Sequence, residues 1–165
     1  MPSPPQLRLV PLDARLRPAL LQLRVWPAQL RYVGAISDLL ADAESSPDCA
    51  PMVIALDERP IGYYRIDPNP RAVVGRELEL PALGLRSFFI DADQQGRGYG
   101  RQALRLLLET LRWQQPQAQL LALTVSRRNH DAWSLYRRSG FTDDGQLYHD
   151  PGTGPLHLMR YRLHS

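Results

Sequence analysis

The stretch Phe88-Phe89-Ile90-Asp91-Ala92-Asp93-Gln94-Gln95-Gly96-Arg97-Gly98-Tyr99-Gly100-Arg101 decides how this chain folds. Its opening residues, with Arg86 and Ser87 before them, form an apolar, β-favouring run that predicts a buried strand. Glycines then alternate at 96, 98 and 100. From Arg101 to Gln114, Ala103, Leu104, Leu106, Leu107, Leu108 and Leu111 cover one broad face, which predicts a helix. Arg101, Arg105, Glu109 and Arg112 line its polar stripe, and the last three have the spacing that favours charge pairs. Leu120-Leu121-Ala122-Leu123-Thr124-Val125 reads as a second buried strand. Strand, glycine loop, helix and strand make a βαβ unit, so the two strands are expected to run parallel.

Alternating glycines between a strand and a helix let the backbone turn sharply. They also expose bare N–H groups that the helix dipole makes attractive to phosphate. The loop is therefore a candidate anion site; a tight turn without ligand is the alternative. It is not a dinucleotide fingerprint, because the third glycine of G-x-G-x-x-G would fall on Arg101.

Outward from this unit, Leu7 to Val10 predicts a first strand, and Asp13 can cap a helix running to about Val25. Ile36, Leu39, Leu40 and Ala43 predict a helix around Gly34 to Ala43. Met52 to Leu56 and Ile61 to Ile66 predict a hairpin closed by the four residues Asp57 to Pro60. Downstream, Asp131 to Ser139 predicts a helix with Asn129 as cap and Gly140 as terminator. Two last strands are expected near Gly145 to Tyr148 and Leu156 to Arg162, joined through Pro151-Gly152-Thr153-Gly154-Pro155.

Composition narrows the class. At 165 residues the chain has the size of one domain, 1–165, and 44% apolar with 22% charged residues is the balance of a folded protein rather than a disordered one. Cys49 is the only cysteine, which excludes an internal disulfide and fits a reducing compartment. No Cys/His spacing implies a metal. The N-terminus lacks the pattern of a signal peptide and no apolar run is long enough to span a bilayer, so the expectation is a cytoplasmic protein without a membrane partner. All 20 basic residues are Arg, and the absence of Lys removes any Walker-type phosphate loop. The Arg residues are scattered and net charge is only +3, which argues against nucleic-acid binding.

Two segments together resemble a known family. Gln95, Gly98 and Gly100, in the pattern Gln-x-x-Gly-x-Gly, resemble the pyrophosphate-binding signature of the GNAT superfamily of N-acetyltransferases, with Phe88 to Asp93 as its preceding strand. Asn129, Ala132, Leu135-Tyr136 and Gly140-Phe141 are similar to that family's later motif. The resemblance covers about Phe88 to Phe141, and the N-terminal half only in its order of elements. It implies a GNAT-type three-layer α/β/α fold whose mixed, mostly antiparallel sheet of six to seven strands splays at its centre.

The resemblance also implies chemistry. Acetyl-CoA would lie with its pyrophosphate on the backbone N–H groups from Arg97 to Arg101, in a cofactor-binding loop made of Gln95, Gly96, Arg97, Gly98, Tyr99, Gly100 and Arg101. Its pantetheine arm would pair with the strand at Phe89 and Ile90, and Asn129 would contact it or cap its helix. The Phe88 N–H would polarise the thioester carbonyl, and Tyr136 would protonate the departing thiolate, although its spacing from Ala132 equally suits a core aromatic. Where some family members carry a Glu base this chain has Gly84. Glu77 and Glu79 are candidates for the acceptor side, and His149 is another candidate base. A small amine acceptor is expected, and a polyamine is one possibility since the loop region is similar to the diamine and spermidine acetyltransferase branch. A non-catalytic acyl-CoA-binding regulator and a protein N-terminal acetyltransferase are the alternatives. A homodimer is compatible with the sequence.

Overall fold

The computed structural model describes residues 3–45, 48–150 and 154–164. Its strands β1 (Leu7–Pro11), β2 (Ala50–Leu56), β3 (Arg59–Asp67), β4 (Ala82–Ile90), β5 (Leu120–Ser126), β6 (Thr142–Asp150) and β7 (Gly154–Arg162) join one seven-stranded sheet in the order β1-β2-β3-β4-β5-β7-β6. The chain also divides into two compact units, Met1–Arg65 with Ser87–Leu106 and Ile66–Arg86 with Leu107–Ser165. The boundaries cut β3, β4 and the helix Tyr99–Gln114, so those three elements belong to both.

The first unit opens with β1 (Leu7–Pro11), antiparallel to β2 (Ala50–Leu56) from Leu7↔Leu56 to Pro11↔Met52. Between them lie α1 (Arg17–Leu21), a short 3-10 turn (Pro27–Gln29), α2 (Leu30–Val33) and α3 (Ile36–Ser45). The helix expected to reach Val25 stops at Leu21. Beyond it the Arg24 N–H is held by Asp91 Oδ1 at 3.0 Å and the Arg24 carbonyl by the Ala92 N–H at 2.7 Å, tertiary bonds that replace helical ones. Asp13 still caps locally, its carboxylate accepting the Leu16 N–H at 2.9 Å. Leu20, Val25, Leu39, Leu40, Val53, Tyr63 and Phe89 form the core of this unit. The hairpin into β3 (Arg59–Asp67) turns on two residues rather than four, because Asp57 takes a left-handed conformation at φ 54° and lets Arg59 and Pro60 join the strand.

In the second unit the short helix α4 (Arg71–Val74) follows β3. It leads to β4 (Ala82–Ile90), which begins earlier than its apolar run suggests. β4 and β5 (Leu120–Ser126) are parallel, as the βαβ reading requires, in a register from Ala82↔Leu120 to Gly84↔Ala122. A second 3-10 turn (Ala92–Gln94) and α5 (Tyr99–Gln114) connect them. Ala103, Leu104, Leu107, Leu108 and Leu111 of α5 are buried and Arg101, Arg105 and Glu109 exposed, as the stripe predicted. Arg112, however, pairs with neither neighbour on that stripe: its guanidinium donates to the Leu163 carbonyl at 3.1 Å and the Tyr161 hydroxyl at 2.6 Å.

α6 (His130–Arg138) follows β5. β6 (Thr142–Asp150) and β7 (Gly154–Arg162) then pair antiparallel, with β7 also antiparallel to β5. Residues 151–153 of the expected connection lie outside the described set. Among the described residues no helix is long and apolar enough to cross a membrane.

Candidate active site

The glycine loop is built from β4 downward. Asp91, buried at the strand's end, donates its N–H to the Ile61 carbonyl at 2.7 Å while its carboxylate holds the Arg24 N–H. The Arg24 guanidinium reaches Asp93 at 3.0 Å. Gln95 then locks the loop entrance. Its amide nitrogen donates to the Ile90 carbonyl at 2.8 Å and to Gln29 Oε1 at 3.0 Å, and Gln29 returns a hydrogen bond to Gln95 Oε1 at 3.1 Å. The Gln95 side chain is thus a brace for the loop rather than a spare donor for a ligand. Arg24 and Gln29, which lie more than sixty residues upstream in sequence, carried no local signal of this role.

Gly96 and Gly98 stand at φ 78° and 84°, in the left-handed region where a side chain is strained. A Cβ at Gly96 would meet nothing within 4 Å, and one at Gly98 only the Gln102 amide at 3.9 Å. Backbone conformation, not packing, therefore demands these glycines, and the space before the loop is open to a ligand. Helix α5 starts at Tyr99 with no acidic residue in its first turn, and the exposed Arg97 and Arg101 flank that start. Bare amides, a helix N-terminus and two cations suit a pyrophosphate.

Ahead of the loop, Ser87 also has a left-handed φ of 59°, uncommon for a non-glycine residue inside a strand. It reorients the backbone just before the Phe88 N–H. Phe88 packs beside Tyr64 with ring centroids 6.4 Å apart, and Phe89 beside Tyr63 at 6.1 Å. Phe89 and Ile90 are both buried.

The other candidates belong to the second unit. Asn129 caps α6, its side-chain oxygen accepting the Ala132 N–H at 3.3 Å. Tyr136 is buried on α6 against Phe141, edge to face at 5.6 Å, and burial pushes its phenol pKa well above the ordinary tyrosine value. Beside them is a cluster that sequence reading did not reveal. Asp143 accepts the Trp133 indole N–H at 2.9 Å and the Gly145 N–H at 2.9 Å, and lies 2.9 Å from His157 Nδ1. Burial resists its ionisation, but Trp133, Gly145, His157 and Arg137 outweigh that and hold the Asp143 carboxyl below the usual carboxylate range.

Glu79 pairs with Arg160; its own backbone N–H, then Arg160 and Arg76, keep it below the usual range against a burial penalty, which makes it a poor base at neutral pH. Glu77 lies 3.8 Å from Arg71 on an exposed surface. At Gly84 a Cβ would come within 2.4 Å of Val73 Cγ2, so a glutamate there has no room. The side chain of His149 lies outside the described residues.

The profile of the Acetyltransferase (GNAT) family matches residues 17–141. This chain belongs to the GNAT acetyltransferases. Among GNAT relatives, it is 28% identical over 116 residues to the uncharacterized N-acetyltransferase YbbJ of Bacillus subtilis, covering 70% of this chain and 72% of that one. It is also 28% identical over 131 residues to the spermine/spermidine N(1)-acetyltransferase of Bacillus subtilis, covering 79% and 84%. The GNAT fold is shared with the solved aminoglycoside acetyltransferase AAC(6')-Ib in complex with coenzyme A, at a TM-score of 0.75 and 21% identity over 95% of each chain.

Proposed function

We propose that this protein transfers the acetyl group of acetyl-CoA to a primary amine of a small molecule, by direct attack within a ternary complex. The observation that carries the reading is the glycine loop: two open left-handed glycines and the start of α5, flanked by Arg97 and Arg101, in a chain of GNAT family. The solved aminoglycoside acetyltransferase of like fold is in complex with coenzyme A.

In this reading the backbone amides of Arg97 to Arg101 take the pyrophosphate and β4 at Phe89 and Ile90 takes the pantetheine arm. The amine nitrogen attacks the thioester carbonyl carbon, and the Phe88 N–H stabilises the oxyanion. The C–S bond then breaks, Tyr136 gives its hydroxyl proton to the leaving sulfur, and the acceptor nitrogen releases a proton to solvent. The raised pKa of Tyr136 keeps that proton in place across the neutral range. Its single, buried cysteine suits work in the cytoplasm.

The test is acetyl-CoA-dependent appearance of free CoA thiol over a panel of polyamines, amino acids, aminoglycosides and short peptides, with Tyr136→Phe alongside. Acceptor-dependent turnover lost in the variant supports the reading. Tight acetyl-CoA binding with no turnover for any acceptor points instead to a non-catalytic acyl-CoA sensor.

A further inference from the structure

Arg86 stands where β4 has left its parallel partner. The pairing of β4 with β5 runs from Ala82↔Leu120 to Gly84↔Ala122, and Arg86 is two residues past its end. Ser87 then takes its left-handed turn, and the Phe88 N–H assigned to the thioester carbonyl comes next along the chain. Two residues of strand span at most about 7 Å, within the length of an arginine side chain.

The Arg86 guanidinium is fixed at one corner and open along one edge. Its Nη1 donates to Asp67 Oδ2 at 3.2 Å, and the Asn69 N–H donates to Asp67 Oδ1 at 2.9 Å, so both oxygens of that carboxylate are engaged. The Asp67 side chain is 7% exposed, whereas that of Arg86 is 36% exposed and so open to solvent. Among the described residues Nε and Nη2 of Arg86 have no hydrogen-bond partner, and neither is sealed inside the protein. These two nitrogens form the edge with which a guanidinium grips both oxygens of a carboxylate. Serving the buried Asp67 accounts for Nη1 and leaves that edge unused. The same tether holds the side chain in place before a ligand arrives, which lowers the ordering cost of binding. Glu77 and Glu79, the acids that precede β4, pair instead with Arg71 and Arg160.

We propose that the open edge of Arg86 binds a carboxylate carried by the acceptor, so that the substrate is an amine bearing an acid, such as an amino acid or short peptide, rather than a polycation. This rests on the acetyltransferase reading above. The edge presents donors only, which an ammonium group cannot use, while a carboxylate takes two parallel charge-assisted hydrogen bonds from it. The carboxylate takes no covalent part; it fixes the acceptor while the amine nitrogen attacks.

The experiment compares kcat/KM for amino acids and short peptides with that for their carboxamides, and for spermidine, in the wild type, Arg86→Met and Arg86→Lys. The wild type is expected to favour at least one acid over its amide by about tenfold or more, the scale of one charge-assisted bond. In Arg86→Met the acid-to-amide ratio should fall towards about one, with the loss in the KM of the acid. Arg86→Lys keeps a charge but not the two-pronged edge, and its ratio should fall between the two. The inference is overturned if the wild type prefers amides or spermidine, if Arg86→Met keeps the acid preference, or if its loss falls on the KM of acetyl-CoA. Where Arg86→Met does not fold, Arg86→Lys decides, and an acid preference equal to that of the wild type overturns the inference. A wild type that binds no acetyl-CoA refutes the acetyltransferase reading itself, whereas one that transfers acetyl only to neutral or polycationic amines refutes this inference alone.

Discussion

In the proposed mechanism Tyr136 serves both packing and chemistry. It closes against Phe141 and is buried, which raises its pKa and keeps the phenol protonated until it is called on. Tyr136→Phe preserves the ring contact and removes only the hydroxyl. The expected result is a loss of kcat of about a hundredfold or more, with acetyl-CoA still raising the melting temperature. The alkaline limb of the pH-rate profile should show no fall from Tyr136 ionisation below about pH 10. At Gly98, Gly98→Ala should cost about 1–2 kcal/mol, because φ 84° strains any side chain although the space is free. Urea unfolding measures that cost, and calorimetric titration should show weaker acetyl-CoA binding. The turn at Gly98 and the helical, buried position of Tyr136 were legible in the sequence, one from the loop pattern and the other from the later motif. Gln29 and Arg24 were not, since their roles come from contacts with residues more than sixty positions away that no local spacing encodes.

Among the elements, β4, α5, β5 and α6 were readable because each carries a long periodic apolar pattern and a glycine or Asn at its boundary. The short helices α2 and α4 were missed: at four residues each they have no period to detect, and tertiary contact sets them. The hairpin turn was read two residues too long because Pro60 looks like turn material, yet it lies in β3. Asn129→Ala should remove the cap of α6 and cost about 1 kcal/mol by denaturant unfolding, testing its capping role apart from any contact with acetyl-CoA. The pairing of β6 and β7 around Asp143 has a pH signature. A carboxyl whose folded-state pKa is depressed adds stability above its unfolded value, here 3.8, and that stability is lost as pH falls through the lower folded value. Asp143→Asn should therefore be less stable than the wild type near neutrality, and the gap should narrow below about pH 4 as the wild-type carboxyl protonates. A gap that stays constant with pH would contradict the assigned role of its charge.

For the molecule as a whole, the family, the sheet and the glycine loop agree on an acyl-CoA enzyme, while the acceptor depends on charges brought together by folding. Glu79 and Glu77, which alone would suggest a polycation, face Arg160 and Arg71. Acetyl-CoA at about a hundred times its dissociation constant should stabilise the protein by about 2.7 kcal/mol, visible as a rise in melting temperature of several degrees. The most direct test of the central claim uses acetyl-CoA labelled in its acetyl carbon, incubated with purified protein and the amine panel, with products followed by mass spectrometry. The account predicts label on an amine nitrogen in amounts equal to the CoA released. Free CoA without a labelled amine, or bound acetyl-CoA that is never turned over, would contradict it.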